Sequence, residues 1–308
     1  MLGTRRPAHV PRGRKWTIRK LTEEDMIDVN ASLGQWPFGD LRYNAPQHLL
    51  KWLGMAGIEQ ACVGPLEALL YKDIQQANAR LHKAVGRLRD RLFPFCAIDP
   101  SGPDWRSDLE QCRGQWRTAG VRLFPSYHGY NISDACCAEL FEVLQDARLP
   151  VQIAPVICDP RMHHERVRVP AASLEGLLDL LARFPRLNVA LLNVRVETEP
   201  ALKDAAAFRA LPNFFFDIAW VDGVGQVGRL VDEFGDDHVL LGTNAPLMIP
   251  LSAVYKLREA DLAQAQIDRI THDNALRFLG TGGQAARSPS GSSTTRGTRS
   301  ERTPGTDT

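Results

Sequence analysis

PNFFFDIAWVDGVGQVGRLVDEFGDDHVLLGTNAP, residues 212–246, reads as strand, helix, strand. The runs that start at Phe214 and His238 are short and almost wholly apolar. They lack the apolar–polar alternation of a strand with one wet face, so both faces should be buried, as in a parallel sheet. Residues 224–234 between them form an amphipathic segment. A helix joining two parallel strands is the crossover that such a sheet requires.

The same alternation runs through the chain. Apolar runs also begin near Met26, Ile58, Leu92, Ala119, Pro150 and Leu187. Amphipathic segments follow at 45–57, 71–89, 105–117, 134–147, 173–184, 200–210 and 249–279. In QQANARLHKAVGRL, residues 75–88, helical spacing puts Ala77, Leu81, Val85 and Leu88 on one core-facing stripe. Eight strand–helix units predict an α/β fold, a single (β/α)8 TIM barrel. A nucleotide-binding, doubly wound sheet is not expected, because no G-x-G-x-x-G or G-x-x-x-x-G-K-[S/T] motif is read after any strand.

The barrel is expected over 25–280, which is 256 residues; such a barrel needs about 250. Residues 281–308 are a low-complexity Gly/Ser/Thr/Arg tail, expected to be disordered. Residues 1–24 are expected to be a flexible basic arm, with seven Lys/Arg and no acid among the first 20. Residues 21–280 then carry 26 basic and 34 acidic side chains, a formal charge of −8. A basic arm can recruit nucleic acid or another anionic partner, but a solvated tail is the expectation, so nucleic acid is not the expected partner. No apolar stretch suits a membrane span and no secretory signal is evident, so no membrane partner is expected and a cytoplasmic setting is. The six cysteines contain no CxxC spacing, and Cys136 and Cys137 are adjacent. Reduced, largely buried thiols follow from that.

In a parallel barrel, chemistry sits at the C-terminal ends of the strands. The first strand closes through Asp28, Asn30 and Ser32, followed by Trp36-Pro37-Phe38 as an apolar wall. The fourth closes on Arg122, with Tyr127 and His128 on the loop above. Arg122 is placed to clamp a carboxylate or to pair with a neighbouring acid. His128 is the candidate general acid or base by position. Gln152 lies on the fifth strand, Asn193 ends the sixth, and Arg195 shares its face as a second anion contact. Asp217 ends the seventh strand after three phenylalanines. Such surroundings suit a carboxylate of raised pKa acting as base, or a partner for Arg122 or Arg195. His163 and His164 are expected to be exposed on a long loop. No Gly-x-Ser-x-Gly elbow supports serine-hydrolase chemistry.

The framework Asp28-x-Asn30-x-Ser32, Gly242-Thr243-Asn244-Ala245-Pro246 and Asp273-Asn274-Ala275-Leu276 resembles the metal-dependent amidohydrolases related to decarboxylases and lactonases of small aromatic-derived acids. The resemblance spans about 26–280. It implies a metal held by histidines at positions 30, 32, 154 and 193 and by an aspartate at 244. Here those positions hold Asn30, Ser32, Ala154, Asn193 and Asn244. Neutral amides, a hydroxyl and a methyl are poor zinc donors, so neither a metal nor another cofactor is expected. Three Asn and a Ser are expected to converge on one polar cavity.

Two functions follow. One is a metal-independent hydrolase of a small carboxylated lactone, ester or amide. His128 or Asp217 would activate water, and Asn30, Ser32, Arg122, Tyr127, Gln152, Asn193, Arg195 and Asn244 would bind substrate. The alternative is an inactive barrel that binds a small polar ligand or a protein. Self-association is left open.

Overall fold

The computed structural model describes residues 26–280, apart from positions 160, 162, 165, 166 and 168. The arm 1–24 and the tail 281–308 lie outside the described residues.

Eight strands run in sequence order round one sheet. They are β1 Met26–Leu33, β2 Ile58–Pro65, β3 Leu92–Ala97, β4 Gly120–Leu123, β5 Val151–Ile153, β6 Val189–Leu191, β7 Phe214–Asp217 and β8 Val239–Leu240. Every adjacent pair is parallel. The ends meet as well. Val29 N–H donates to Leu241 O at 2.9 Å and Ser32 N–H to Ala245 O at 2.7 Å. That closure is what distinguishes a barrel from an open sheet, and it confirms the (β/α)8 expectation.

The longer helices on the outside are α1 Pro46–Gly54, α2 Ile74–Val85 and α3 Trp105–Gly114. A single turn, α4 Pro125–His128, precedes α5 Ala135–Ala147, α6 Leu177–Arg183, α7 Ala205–Arg209 and α8 Gln226–Phe234. The segment 249–279, expected as one stretch, divides into α9 Pro250–Glu259, α10 Gln264–Asp268, a π turn Arg269–Asp273 and α11 Asn274–Phe278. Asp261 takes a left-handed φ of 51°, which ends the first piece. Asn274 Nδ2 then donates to the Asp236 and Val239 carbonyls and fixes α11 against β8.

Two apolar layers result. Leu81, Val85, Cys96, Cys112 and Leu140 belong to the layer between sheet and helices. Ile27, Val29, Phe95, Ala154, Ala190, Phe215 and Leu240 fill the barrel itself. Phe278 from α11 packs on Phe95 and Phe215, with ring centroids 6.0 and 5.8 Å away. The stripe read on α2 is wider than its apolar residues, because Asn78 and His82 are buried on it too.

One Gly-rich segment runs against the exclusion of a nucleotide motif. Gly223-Val224-Gly225-Gln226-Val227-Gly228 has the G-x-G-x-x-G spacing between β7 and α8. Gly223 and Gly225 take φ of 100° and 69° in the turn. A Cβ on Gly228 would sit 2.7 Å from Ala260 O, so that glycine permits close packing on the end of α9. The barrel gives these glycines conformational work, and the open crevice of a doubly wound sheet is absent.

Candidate functional site at the barrel mouth

The pairing of β1 with β2 shifts register between Asp28 and Ala31. A bulge of this kind re-aims side chains, and Asn30 lies within it. Asn30 Nδ2 donates to Asp217 Oδ2 at 2.6 Å and to Asn193 Oδ1 at 2.8 Å. The Asn193 N–H donates to Asp217 Oδ1 at 3.1 Å. One carboxylate therefore ties β1 and β7 to the residue beyond β6. Burial pushes the Asp217 carboxyl up to about 6, against the opposing pull of its Asn30 and Asn193 donors. Gly242 leaves the necessary room, since a Cβ there would collide with that carboxylate.

Asp28 is equally buried. It accepts from Asn30 N at 2.8 Å, from Thr243 N at 3.0 Å and from the Thr243 hydroxyl. Burial outweighs these donors and raises it to about 6.

Arg122 forms a separate group. Its Nε donates to Gln152 Oε1 at 2.7 Å, and Nη1 donates to Ala31 O at 2.9 Å and to Ser32 Oγ at 3.2 Å. Gln152 in turn donates to Val29 O at 2.7 Å. The guanidinium lies over Gly64, where a Cβ would come within 2.8 Å of Cδ and Cζ. Burial lowers Arg122 to about 10. Neither arginine read as a partner for Asp217 hydrogen-bonds to it. Arg122 faces Gln152 and β1, and Arg195 pairs with Asp222 at the surface.

Asn193 and Asn244 both take left-handed backbone, with φ of 56° and 54°. Asparagine tolerates that region better than most L residues. Backbone conformation is thus one reason for an amide at each position. Asn244 Nδ2 donates to Ile157 O at 2.8 Å, away from the other two. The four polar residues expected in one cavity therefore fall into three groups: Asn30 with Asn193, Ser32 with Arg122, and Asn244 alone. Asn30 Oδ1, Asn193 Nδ2, Asn244 Oδ1 and Arg122 Nη2 remain buried without a protein partner.

The other expected residues sit elsewhere on the mouth. His128 Nε2 donates to Ala68 O at 2.9 Å, and its Nδ1 is buried and unpartnered. Tyr127 Oη lies 3.1 Å from His163 Nε2. His163 packs against Phe38, with centroids 5.0 Å apart, and against Trp36 at 6.2 Å. The apolar wall thus holds a histidine that was expected to be exposed; burial lowers its pKa. No hydrogen bond joins His128 to Asp217 among the described residues. A pocket of about 230 Å³ opens beyond the ends of β5 to β8, lined by Cys158, Arg195, Trp220, Asn244, Leu247 and Met248. Trp220 Nε1 is buried and without a partner. Trp220 and Asn244 carry no sequence signal that marks them as neighbours; only closure of the barrel puts them on one pocket.

A divalent metal does not fit these residues. The side chains at 30, 193 and 244 are neutral amides, the Asn193 oxygen already accepts from Asn30, Ser32 serves Arg122, and Ala154 offers no donor. Among the described residues no group of three or more His, Cys, Asp or Glu is arranged to hold a metal.

A family model described as amidohydrolase matches residues 67–281. No curated protein matches the sequence. Several solved structures share the fold. A 2,6-dihydroxybenzoate decarboxylase from Rhizobium has a TM-score of 0.63 at 16% identity, covering 83% of this chain and 98% of that one. A 5-carboxyvanillate decarboxylase from Sphingomonas paucimobilis has a TM-score of 0.64 at 14% identity, covering 83% and 99%. An uncharacterized TIM-barrel protein from Bordetella bronchiseptica has a TM-score of 0.65 at 16% identity, covering 84% and 100%.

Proposed function

Because the chain belongs to the amidohydrolase family, we propose that its barrel mouth hydrolyses a small carboxylated lactone, ester or amide without a metal, with Asp217 as the base. The observation that carries this reading is the Asp217 carboxylate: it is buried, raised to about 6, and oriented by Asn30 and the Asn193 N–H. A base poised near neutral pH can take a proton from water and return it. Asn244, whose Oδ1 is unpartnered, lines the pocket and supplies an acceptor for a polar substrate. Trp220, Leu247 and Met248 supply an apolar wall, and Arg195 at the rim is paired with Asp222, which lines the same pocket with Asp159.

The acids named in the structural neighbours, dihydroxybenzoate and carboxyvanillate, are aromatic carboxylates. The test is therefore a panel of carboxylated lactones, esters and amides together with hydroxybenzoates, read by product formation and by CO2 release. Hydrolysis of a panel member, lost in Asp217→Asn, supports the reading. CO2 release without hydrolysis overturns the reaction type.

A second reading has its own support. Both Asp217 oxygens already hold donors, and Arg122 spends Nε and Nη1 within the barrel. A site so self-satisfied suits binding without turnover. Thermal stabilisation by a panel acid, with no product formed, would favour it.

A further inference from the structure

On the outer face of the sheet, away from the mouth, three elements bring a histidine and two thiols together. Cys96 on β3 points into the layer shared with α2 and α3. His82 Nε2 from α2 lies 3.2 Å from Cys96 Sγ. Arg89 Nη2 lies 2.7 Å from His82 Nδ1. A guanidinium only donates, so Nδ1 must accept, and the proton of the imidazole sits on Nε2, aimed at the sulfur. Cys112 on α3 is tied to the same strand through Thr118, whose N–H donates to the Cys112 carbonyl at 3.0 Å. Asn78 Nδ2 holds Cys112 Sγ from 3.8 Å and the Ala97 carbonyl from 2.9 Å. Thr118 Oγ1 accepts the Cys96 N–H at 3.1 Å. Trp116 stacks on His82 with centroids 5.3 Å apart and covers the pair.

Cys96 is therefore a buried sulfur that receives an imidazole N–H, itself backed by a guanidinium charge. That environment favours the thiolate. Its pKa is lowered to about 6 against the upward pull of burial, while that of Cys112 is raised by the neighbouring Cys96 and by burial. One sulfur is set as nucleophile and the other keeps its proton.

We propose that Cys96 and Cys112 form an oxidisable dithiol, in which Cys96 attacks hydrogen peroxide and Cys112 closes the disulfide. The Cys96 sulfur forms an S–O bond as the O–O bond breaks. The departing hydroxide takes up the proton that the thiol released, giving water and a sulfenic acid. Cys112 then attacks the sulfenic sulfur. The S–S bond forms, the S–O bond breaks, and hydroxide leaves with the Cys112 proton as a second water. Two thiols lose two electrons and one peroxide gains them.

The test uses the full 308-residue chain, treated with hydrogen peroxide, alkylated after denaturation and mapped by mass spectrometry. The expected product is a Cys96–Cys112 disulfide, formed faster than any loss of Cys62 or Cys158, whose thiols burial raises. Cys112→Ser should leave a sulfenic acid on Cys96 that dimedone captures. Arg89→Met, at a half-buried position, should slow oxidation by about tenfold, because the thiolate fraction falls when the charge behind His82 is removed. Oxidation of Cys96 no faster than Cys62, or an unchanged rate in Arg89→Met, would overturn the proposal. If Cys112→Ser does not fold, the Arg89→Met rate decides alone.

Discussion

Asn30 Nδ2 stands 2.6 Å from Asp217 Oδ2, a bond between the first and seventh strands of the barrel. In an amidohydrolase scaffold such a place suits a metal ligand, and here it holds an amide bonded to a carboxylate. The bond matters for stability as well as chemistry. Removing the Asn30 side chain leaves a buried carboxylate with one donor fewer, at a cost of about 1–3 kcal/mol. Asn30→Ala should lower the urea midpoint accordingly, and an unchanged midpoint would show that the tie contributes nothing.

The pH dependence follows from two carboxylates. Asp217 and Asp28 are each raised by burial from 3.8 to about 6. Between those values the folded state holds more protons than the unfolded one, so stability falls as pH rises. The protein should be more stable near pH 4.5 than at pH 7.5 as far as these groups are concerned. A tenfold difference in proton affinity between folded and unfolded chain corresponds to about 1.4 kcal/mol. Asp217→Asn should flatten the slope of denaturation free energy between pH 4 and 6.5, measured in buffers of equal ionic strength. An identical slope would place the dependence on other groups.

Much of this arrangement was legible in the sequence, for physical reasons that can be named. The strands FFFD and HVLLG are buried on both faces, so their runs are continuous and their ends marked Asp217 and Asn244 for attention. Contacts between those ends were not legible. Asn30 reaches Asp217 because β1 bulges, and a bulge is a matter of pairing that no period-2 count reveals. The glycines were also opaque. The G-x-G-x-x-G spacing at 223–228 matches a nucleotide loop yet serves a turn and a helix contact. Gly64 and Gly242 show their purpose only when Arg122 and Asp217 are laid against them.

Gly64 offers a direct test of that last relationship. Gly64→Ala puts a methyl within 2.8 Å of the Arg122 guanidinium, and overpacking of this sort costs about 1–3 kcal/mol. In an Arg122→Ala background the space is free and the penalty should largely vanish. A double-mutant cycle by chemical denaturation reads the difference as coupling. Additive effects would mean that the glycine is there for another reason.

The metal question has an equally plain measurement. Asn30, Ser32, Ala154, Asn193 and Asn244 provide no imidazole or carboxylate, and Asp217 is engaged by two donors. Elemental analysis of the purified protein should find zinc, manganese and iron well below one equivalent, with turnover or ligand binding unaffected by a chelator. A stoichiometric metal would require ligands that this mouth does not present.

Asn193 separates conformation from chemistry. Its φ of 56° is left-handed, and an ordinary L residue there costs about 1–2 kcal/mol. Its Oδ1 also accepts from Asn30. Asn193→Gly keeps the backbone and loses the acceptor; Asn193→Ala loses both. If the residue were retained for its backbone alone, the glycine variant would match the wild type in stability, and only alanine would suffer. We expect both to lose stability, alanine by the larger amount, and both to shift the pH profile of stability, because Asn30 would lose one of the two acceptors that hold its amide toward Asp217. A glycine variant with unchanged stability and pH profile would reduce Asn193 to a turn residue, and Asp217 would then owe its orientation to Asn30 and the chain's backbone alone.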